Sequence, residues 1–193
     1  MSARPKLAPA DQMTIEECLA FAETRPNEER WELIEGVPVL NAAPVNVHQI
    51  ICANLVAFLM SEKVRLSAPW LPVLGIGTRV PAAPNSLPQP DVYVQEGAAT
   101  WESVTDDALV ILEVLSRSNT KADQAWRRRV YASVPNCQHY VTVSMKAASM
   151  TAYDRTTGWK ERPATGIDGT IDLPALDLKL SLADVYRYTP LDS

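Results

Sequence analysis

Apolar residues are most continuous between Leu109 and Leu115, where LVILEVL is interrupted only by Glu113. A run this short and this aliphatic predicts a central strand covered on both faces. Elsewhere the period alternates between helix and strand. Val47, Ile51, Leu55, Phe58 and Leu59 fall on one side of a helix predicted over 47–60, with Pro44 and Asn46 marking its approach. Thr14, followed by Glu16 and Glu17 and then by Leu19, Ala20 and Phe21, predicts a capped helix that stops near Arg25-Pro26. WELIEGVPVL, from Trp31 to Leu40, predicts a hairpin turning at Glu35-Gly36. Pro69, Pro72, Pro81, Pro84, Pro88 and Pro90 then punctuate a region of short strands such as LPVLGI and TRV.

Further strands are predicted at DVYV, beginning with Asp91, and at HYVTVS, SMTAYDR, WKERP and LKLSL, with Arg155–Gly158 and TGIDGT as turns. Asn119–Ala132 predicts a helix with Trp126, Val130 and Tyr131 on one side, and a brief terminal helix falls around Ala183–Tyr186. This order fits an α/β domain, a mixed sheet flanked by helices and preceded by an N-terminal helix and hairpin. Residues 1–12 are expected to form a disordered leader, 13–188 a single domain and 189–193 a tail.

Composition narrows the class. The 193 residues are 47% apolar and 21% charged, the balance of a globular domain and not of a disordered or collagenous chain. No uninterrupted apolar run approaches a membrane span, and no apolar stretch follows MSARPKLAPADQ as a secretory signal would require. Cys18, Cys52 and Cys137 are widely separated and form neither a disulfide framework nor a CxxC pair, so a cytoplasmic location is expected. The net charge of -5 argues against non-specific coating of nucleic acid but leaves room for a local basic face. Neither GxGxxG nor GxxxxGK[ST] occurs, and Gly75-Ile76-Gly77 is too little to cradle a phosphate.

The sharpest chemical signal is Glu113. An unpaired carboxylate inside LVILEVL would cost several kcal/mol or be driven neutral. A buried cation, a metal ion or a wet cleft at the sheet end would each relieve it, and a purely structural ion pair or hydrogen bond is an equal alternative. Asp91, after Pro90 and before Val92-Tyr93-Val94, is the second acid of interest. If their strands are neighbours, Asp91 and Glu113 converge on one cleft. Two such oxygens are a usual protein share of a magnesium site.

WELIEG, His48 on the following helix, PDV at Pro90–Val92, EVLS at Glu113–Ser116, and Asp123 with Tyr131 and VPNCQHYVTV together resemble the Uma-two family of putative restriction endonucleases, of the PD-(D/E)XK superfamily. The likeness runs from about Met13 to Tyr186. It implies a restriction-endonuclease-like fold and hydrolysis of DNA phosphodiester bonds with Mg2+ (or Mn2+) held by Asp91 and Glu113. The superfamily's lysine two residues after the second acid is Leu115 here. The family's lysine on the next helix, four residues after the position of Asp123, is Arg127. Arginine holds a phosphate or stabilises charge but accepts no proton, whereas lysine is compact and titratable. Lys121 could substitute from the helix entrance, though its spacing does not show this.

The resemblance also makes Glu32 and His48 candidates at the site. Residue by residue, Glu32 reads first as a solvent-facing strand acid, and His48 as a satisfied boundary histidine. Arg117, Lys121 and Arg128 are candidates for phosphate contact, although three consecutive arginines at 127–129 spread around a helix and cannot all face one cleft. Cys52 and Cys137 read as core residues, His139 as the filler of a strand position, and Ser116 has no histidine pattern to make it a nucleophile. Analogy with nucleases that cut both strands implies a homodimer. The alternatives are a catalytically weakened nucleic-acid-binding or interaction protein on the same fold, and a buried acid network that is only structural.

Overall fold

A computed structural model of the chain describes residues 12–116 and 119–192. Residues 1–11 of the expected leader, Arg117 with Ser118, and Ser193 lie outside the described residues. Helix α1 (Ile15–Glu23) opens at Thr14, whose hydroxyl accepts from the Glu17 amide while the Glu17 carboxylate accepts from the Thr14 amide. This reciprocal pair satisfies two amides that the first turn cannot. Strands β1 (Trp31–Ile34) and β2 (Val37–Leu40) form the hairpin, and Glu35 and Gly36 take positive φ of 50° and 77° at its turn. A turn of that hand matches the twist of the flanking strands.

Helix α2 (Asn46–Leu66) runs six residues beyond the expected Met60 and stops at Ser67, which is left-handed. The extra turns carry Glu62, Lys63 and Arg65, so the apolar repeat fades before the helix does, and Arg65 pairs with Glu62 along the surface. Its length and composition alone would fit a membrane span. A core helix satisfies the same criterion, and Ile51, Cys52, Leu55 and Leu59 are buried in the core.

The remaining elements are β3 (Trp70–Leu74), β4 (Gly77–Thr78), β5 (Val92–Glu96), β6 (Val104–Thr105), β7 (Val110–Leu115), α3 (Lys121–Tyr131), β8 (His139–Ser144), β9 (Ser149–Asp154), β10 (Glu161–Thr165), β11 (Thr170–Leu173), β12 (Leu178–Ser181) and α4 (Leu182–Tyr186). Six of these strands form the main sheet in the order β10-β9-β8-β7-β5-β3. Only β7 and β8 run parallel within it. A parallel pair needs a long crossover, and α3 supplies it. The mixed sheet flanked by helices is therefore as expected. Strand β11 falls partly within the expected turn TGIDGT, because its pattern rests on only Ile171 and Leu173.

The central strand β7 is buried on both faces. Leu112 and Val114 join Val92 and Val94 in the large core with α2 and α4, whereas Ile111 joins Tyr93, Tyr140 and the α3 residues Val130 and Tyr131. The segment expected as a tail packs instead: Thr189 is buried and donates to the Tyr186 carbonyl, and Leu191 lies against the large core. His139 does more than fill its strand. Its Nε2 accepts from the Ala175 amide at 3.2 Å, which leaves Nδ1 to donate to Asp154 at 2.5 Å, and Arg162 closes on the same carboxylate.

Candidate active site

Strands β5 and β7 are antiparallel with Val92 opposite Leu112, so the next position along the register sets Asp91 beside Glu113. Beyond the last backbone pair the Asp91 side chain supplies the acceptor for β7, its Oδ2 accepting from the Val114 amide at 2.9 Å. Gly75, leaving β3, donates its amide to the Asp91 carbonyl at 3.0 Å. A Cβ on Gly75 would lie 1.5 Å from the Pro90 carbonyl oxygen, so the Pro90–Asp91 segment keeps this path only because residue 75 has no side chain.

Glu113 is 5% exposed, and both of its carboxylate oxygens accept hydrogen bonds. Its Oε1 accepts from Arg127 Nη1 at 2.8 Å and from the Tyr131 hydroxyl at 3.0 Å, and its Oε2 accepts from the Tyr140 hydroxyl at 2.8 Å. Arg127 also grips Glu32 in a fork, with Nη2 to Oε2 at 2.6 Å and Nη1 to Oε1 at 3.0 Å. The Gln89 amide donates to Glu32 Oε1 at 2.6 Å. The solvent-facing reading of Glu32 is thereby corrected: it is 2% exposed, because Arg127 covers it from a helix far along the chain. The relief for Glu113 is the buried cation.

Burial lifts the Glu113 carboxyl above its ordinary value, with Arg127 opposing the rise and Asp91 and Glu32 adding to it. Burial also works against the Arg127 charge, but Glu113, the Tyr131 oxygen and Glu32 hold its proton well beyond the usual arginine range. Burial, with Glu113 alongside, pushes the Tyr131 and Tyr140 hydroxyls well up and keeps them as donors. His48, in the first turn of α2, sets Nε2 3.3 Å from Asp91 Oδ1 and Nδ1 3.5 Å from Cys52 Sγ.

Glu32, His48, Asp91, Glu113 and Arg127 all line one cleft of about 630 Å³. A carboxylate offers about four acceptor positions. Glu113 uses three, which leaves one on Oε2, and Asp91 keeps free positions on Oδ1 beside His48. The oxygen donors present therefore suit a hard divalent cation.

Polar residues that line the cleft but were not singled out in the sequence include Arg30, Asn41, Gln89 and Asn119. Arg30 immediately precedes WELIEG, and its guanidinium makes no ion pair among the described residues. The only available signal was its place at the hairpin edge. Lys121 and Arg128 are not on the cleft wall. Lys121 is exposed at the start of α3, and Arg128 lies 4.9 Å from the Tyr153 ring centroid and 3.4 Å from Glu161. Asp123 caps α3, its carboxylate accepting from the Thr120 amide at 3.1 Å. Cys52 and Cys137 are buried in the core as expected.

A mixed sheet with helices on both faces is the restriction-endonuclease-like architecture. Residues 15–183 match the Uma2 family model, described as putative restriction endonuclease, and the chain belongs to that family. A putative nuclease of DUF820 from Anabaena variabilis ATCC 29413 has a similar fold, with a TM-score of 0.71 and 16% identity over 90% of this chain and 97% of that chain. No curated protein matches the chain.

Proposed function

We propose that the protein is a divalent-metal-dependent endonuclease that hydrolyses DNA phosphodiester bonds. The observation that carries this reading is the delivery of Asp91 and Glu113 to one cleft by two paired, largely apolar strands at the centre of the sheet. Family membership supports the same reading. Asp91 and Glu113 would hold Mg2+ or Mn2+ through their remaining oxygen positions. Such an ion, when bound, polarises the phosphodiester and makes a water nucleophilic at neutral pH.

The chain's own groups then have distinct tasks. The Val114 amide and His48 fix the two oxygens of Asp91, and the tyrosine hydroxyls fix those of Glu113. Arg127, permanently charged and gripped by two acids, neutralises the site and positions Glu113; it accepts no proton from water. Glu32, Asp91 and Glu113 together outweigh Arg30 and Arg127 by a single charge. A bound divalent ion would reverse that sign, and Arg30, already within that sum, is the cation on the cleft wall that would meet an incoming phosphate. The cysteines are free thiols, in keeping with a reducing compartment, and a two-fold dimer would offer one cleft to each DNA strand.

Nicking of supercoiled plasmid tests the proposal. Cleavage requires Mg2+ or Mn2+, stops with a chelator, and falls to background in Asp91→Asn and Glu113→Gln while both variants stay folded by circular dichroism. Cleavage that persists in both variants removes the site. One observation favours a second reading, a duplex-binding protein with weakened catalysis: Arg127 stands where the family places lysine and is fully engaged by Glu32 and Glu113. Salt-sensitive duplex binding without cleavage, together with a gain of cleavage in Arg127→Lys, selects that reading.

A further inference from the structure

We propose that His48, Cys52 and Asp91 form a site for a borderline divalent metal ion, zinc above all, which shares Asp91 with the magnesium position but differs from it in donor chemistry. One ligand atom from each of the three lies within 4.8 Å of the other two. The set combines an imidazole nitrogen, a sulfur and a carboxylate oxygen. Thiolate and imidazole select zinc or cobalt, whereas magnesium takes oxygen and keeps its water.

The donors are held by different parts of the fold. His48 and Cys52 are four residues apart on α2, so they share one helical face. Asp91 is held from the sheet side by the Val114 amide at 2.9 Å. A tetrahedral zinc site with such donors places its ligand atoms about 3.3–3.5 Å apart. The contacts already formed are 3.5 Å from Cys52 Sγ to His48 Nδ1 and 3.3 Å from His48 Nε2 to Asp91 Oδ1. They use different ring nitrogens, so a rotation of the imidazole presents one nitrogen to the ion.

Access is one-sided. Cys52 is 5% exposed and lies in the large core, whereas the Asp91 side chain is 18% exposed and, with His48, lines the cleft. An ion would enter past Asp91 and meet the sulfur last. Three protein donors leave a fourth position for water from the cleft. On binding, the ion sheds water, the Cys52 thiol releases its proton to solvent and a metal–sulfur bond forms; nothing is oxidised or reduced. The same three groups do not make a cysteine nucleophile. Cys52 is off the cleft wall, and its thiol is pushed up to about 12 by burial and by Asp91.

Occupancy would draw Asp91 away from magnesium, so zinc would inhibit cleavage; this consequence alone rests on the nuclease reading. The test adds Co2+ to the full metal-free chain. A stoichiometric thiolate-to-cobalt absorption band that disappears in Cys52→Ser, but not in Cys18→Ser or Cys137→Ser, upholds the site. The absence of that band, or its survival in Cys52→Ser, overturns it. Zinc-edge X-ray absorption of the wild-type chain needs no variant: a sulfur neighbour upholds the site and a shell of only nitrogen and oxygen overturns it. In the nicking assay, Cys52→Ser requires more than about tenfold more zinc for inhibition than wild type. Equal inhibition overturns the control of cleavage by this site. A cobalt band in a chain that never nicks upholds the metal site and removes the nuclease reading.

Discussion

Replacing Arg127 by alanine tests the central claim about the cleft. The substitution leaves Glu32 and Glu113, 2% and 5% exposed, without the guanidinium that bonds both. Removing one partner of a buried ion pair costs about 3–5 kcal/mol, because the remaining charge is uncompensated. For a chain of this size each kcal/mol lowers Tm by about 2–4 °C, so the melt should fall by on the order of 10 °C. Urea unfolding followed by circular dichroism measures the same loss at constant temperature. The pH dependence has a definite sign. Burial already raises the Glu113 pKa, and Arg127 is what opposes the rise. Without Arg127 the folded chain binds protons more readily than the unfolded one, so the deficit is largest near neutrality and shrinks as pH falls through the carboxylate range. Mg2+ or Mn2+ should also raise the Tm of Arg127→Ala more than that of wild type, by supplying the missing positive charge. An Arg127→Ala protein that unfolds within about 1 kcal/mol of wild type at pH 7 would refute the assignment of Arg127 as the neutralising group.

Arg30→Ala should weaken duplex binding and reduce the slope of log affinity against log salt by about one, as measured by fluorescence anisotropy with Ca2+ in place of Mg2+. An unchanged slope places no phosphate at Arg30. Burial lowers the His139 pKa, so the folded chain resists a proton that the unfolded chain takes up, and stability falls as pH drops below about 6.5. The Asp154 carboxyl, held low by Arg162 and His139 against its own burial, adds a further loss below the ordinary aspartate range. His139→Gln should flatten the first step in urea midpoints measured between about pH 7.5 and 5; an unaltered profile rejects His139 as its source. Gly75→Ala should disable nicking more than it lowers Tm, because the clash falls on the Pro90 carbonyl beside Asp91. Full activity in that variant would show that the segment relaxes freely.

What was legible in the sequence were the misfits. Glu113 stands out in LVILEVL because nothing near it in sequence solvates a charge, whereas Asp91 after Pro90 says little alone and gains weight only as a partner for Glu113 on a neighbouring strand. The burial of Glu32 was not legible. Alternation on a four-residue strand shows that two faces exist, not which is covered, and the covering group is Arg127, 95 residues away. Arg128 illustrates the reverse case. Adjacent to Arg127 in sequence, it points about 100° around the helix and lies on Tyr153 instead of in the cleft. The length of α2 was underestimated because helical hydrogen bonding continues where apolar spacing stops. Strand β11 escaped notice because two alternating apolar residues are too few to distinguish a strand from a turn.

The Arg127 bridge ties the chemistry of the cleft to completion of the fold. Glu113 and Arg127 belong to one local crossover, but Glu32 comes from a hairpin made long before them on the ribosome. A nascent or half-unfolded chain therefore presents loose acids and a stray cation, with no walled cleft to hold a phosphate between them. Under the proposed nuclease activity, completion of that long-range contact would act as a safety catch.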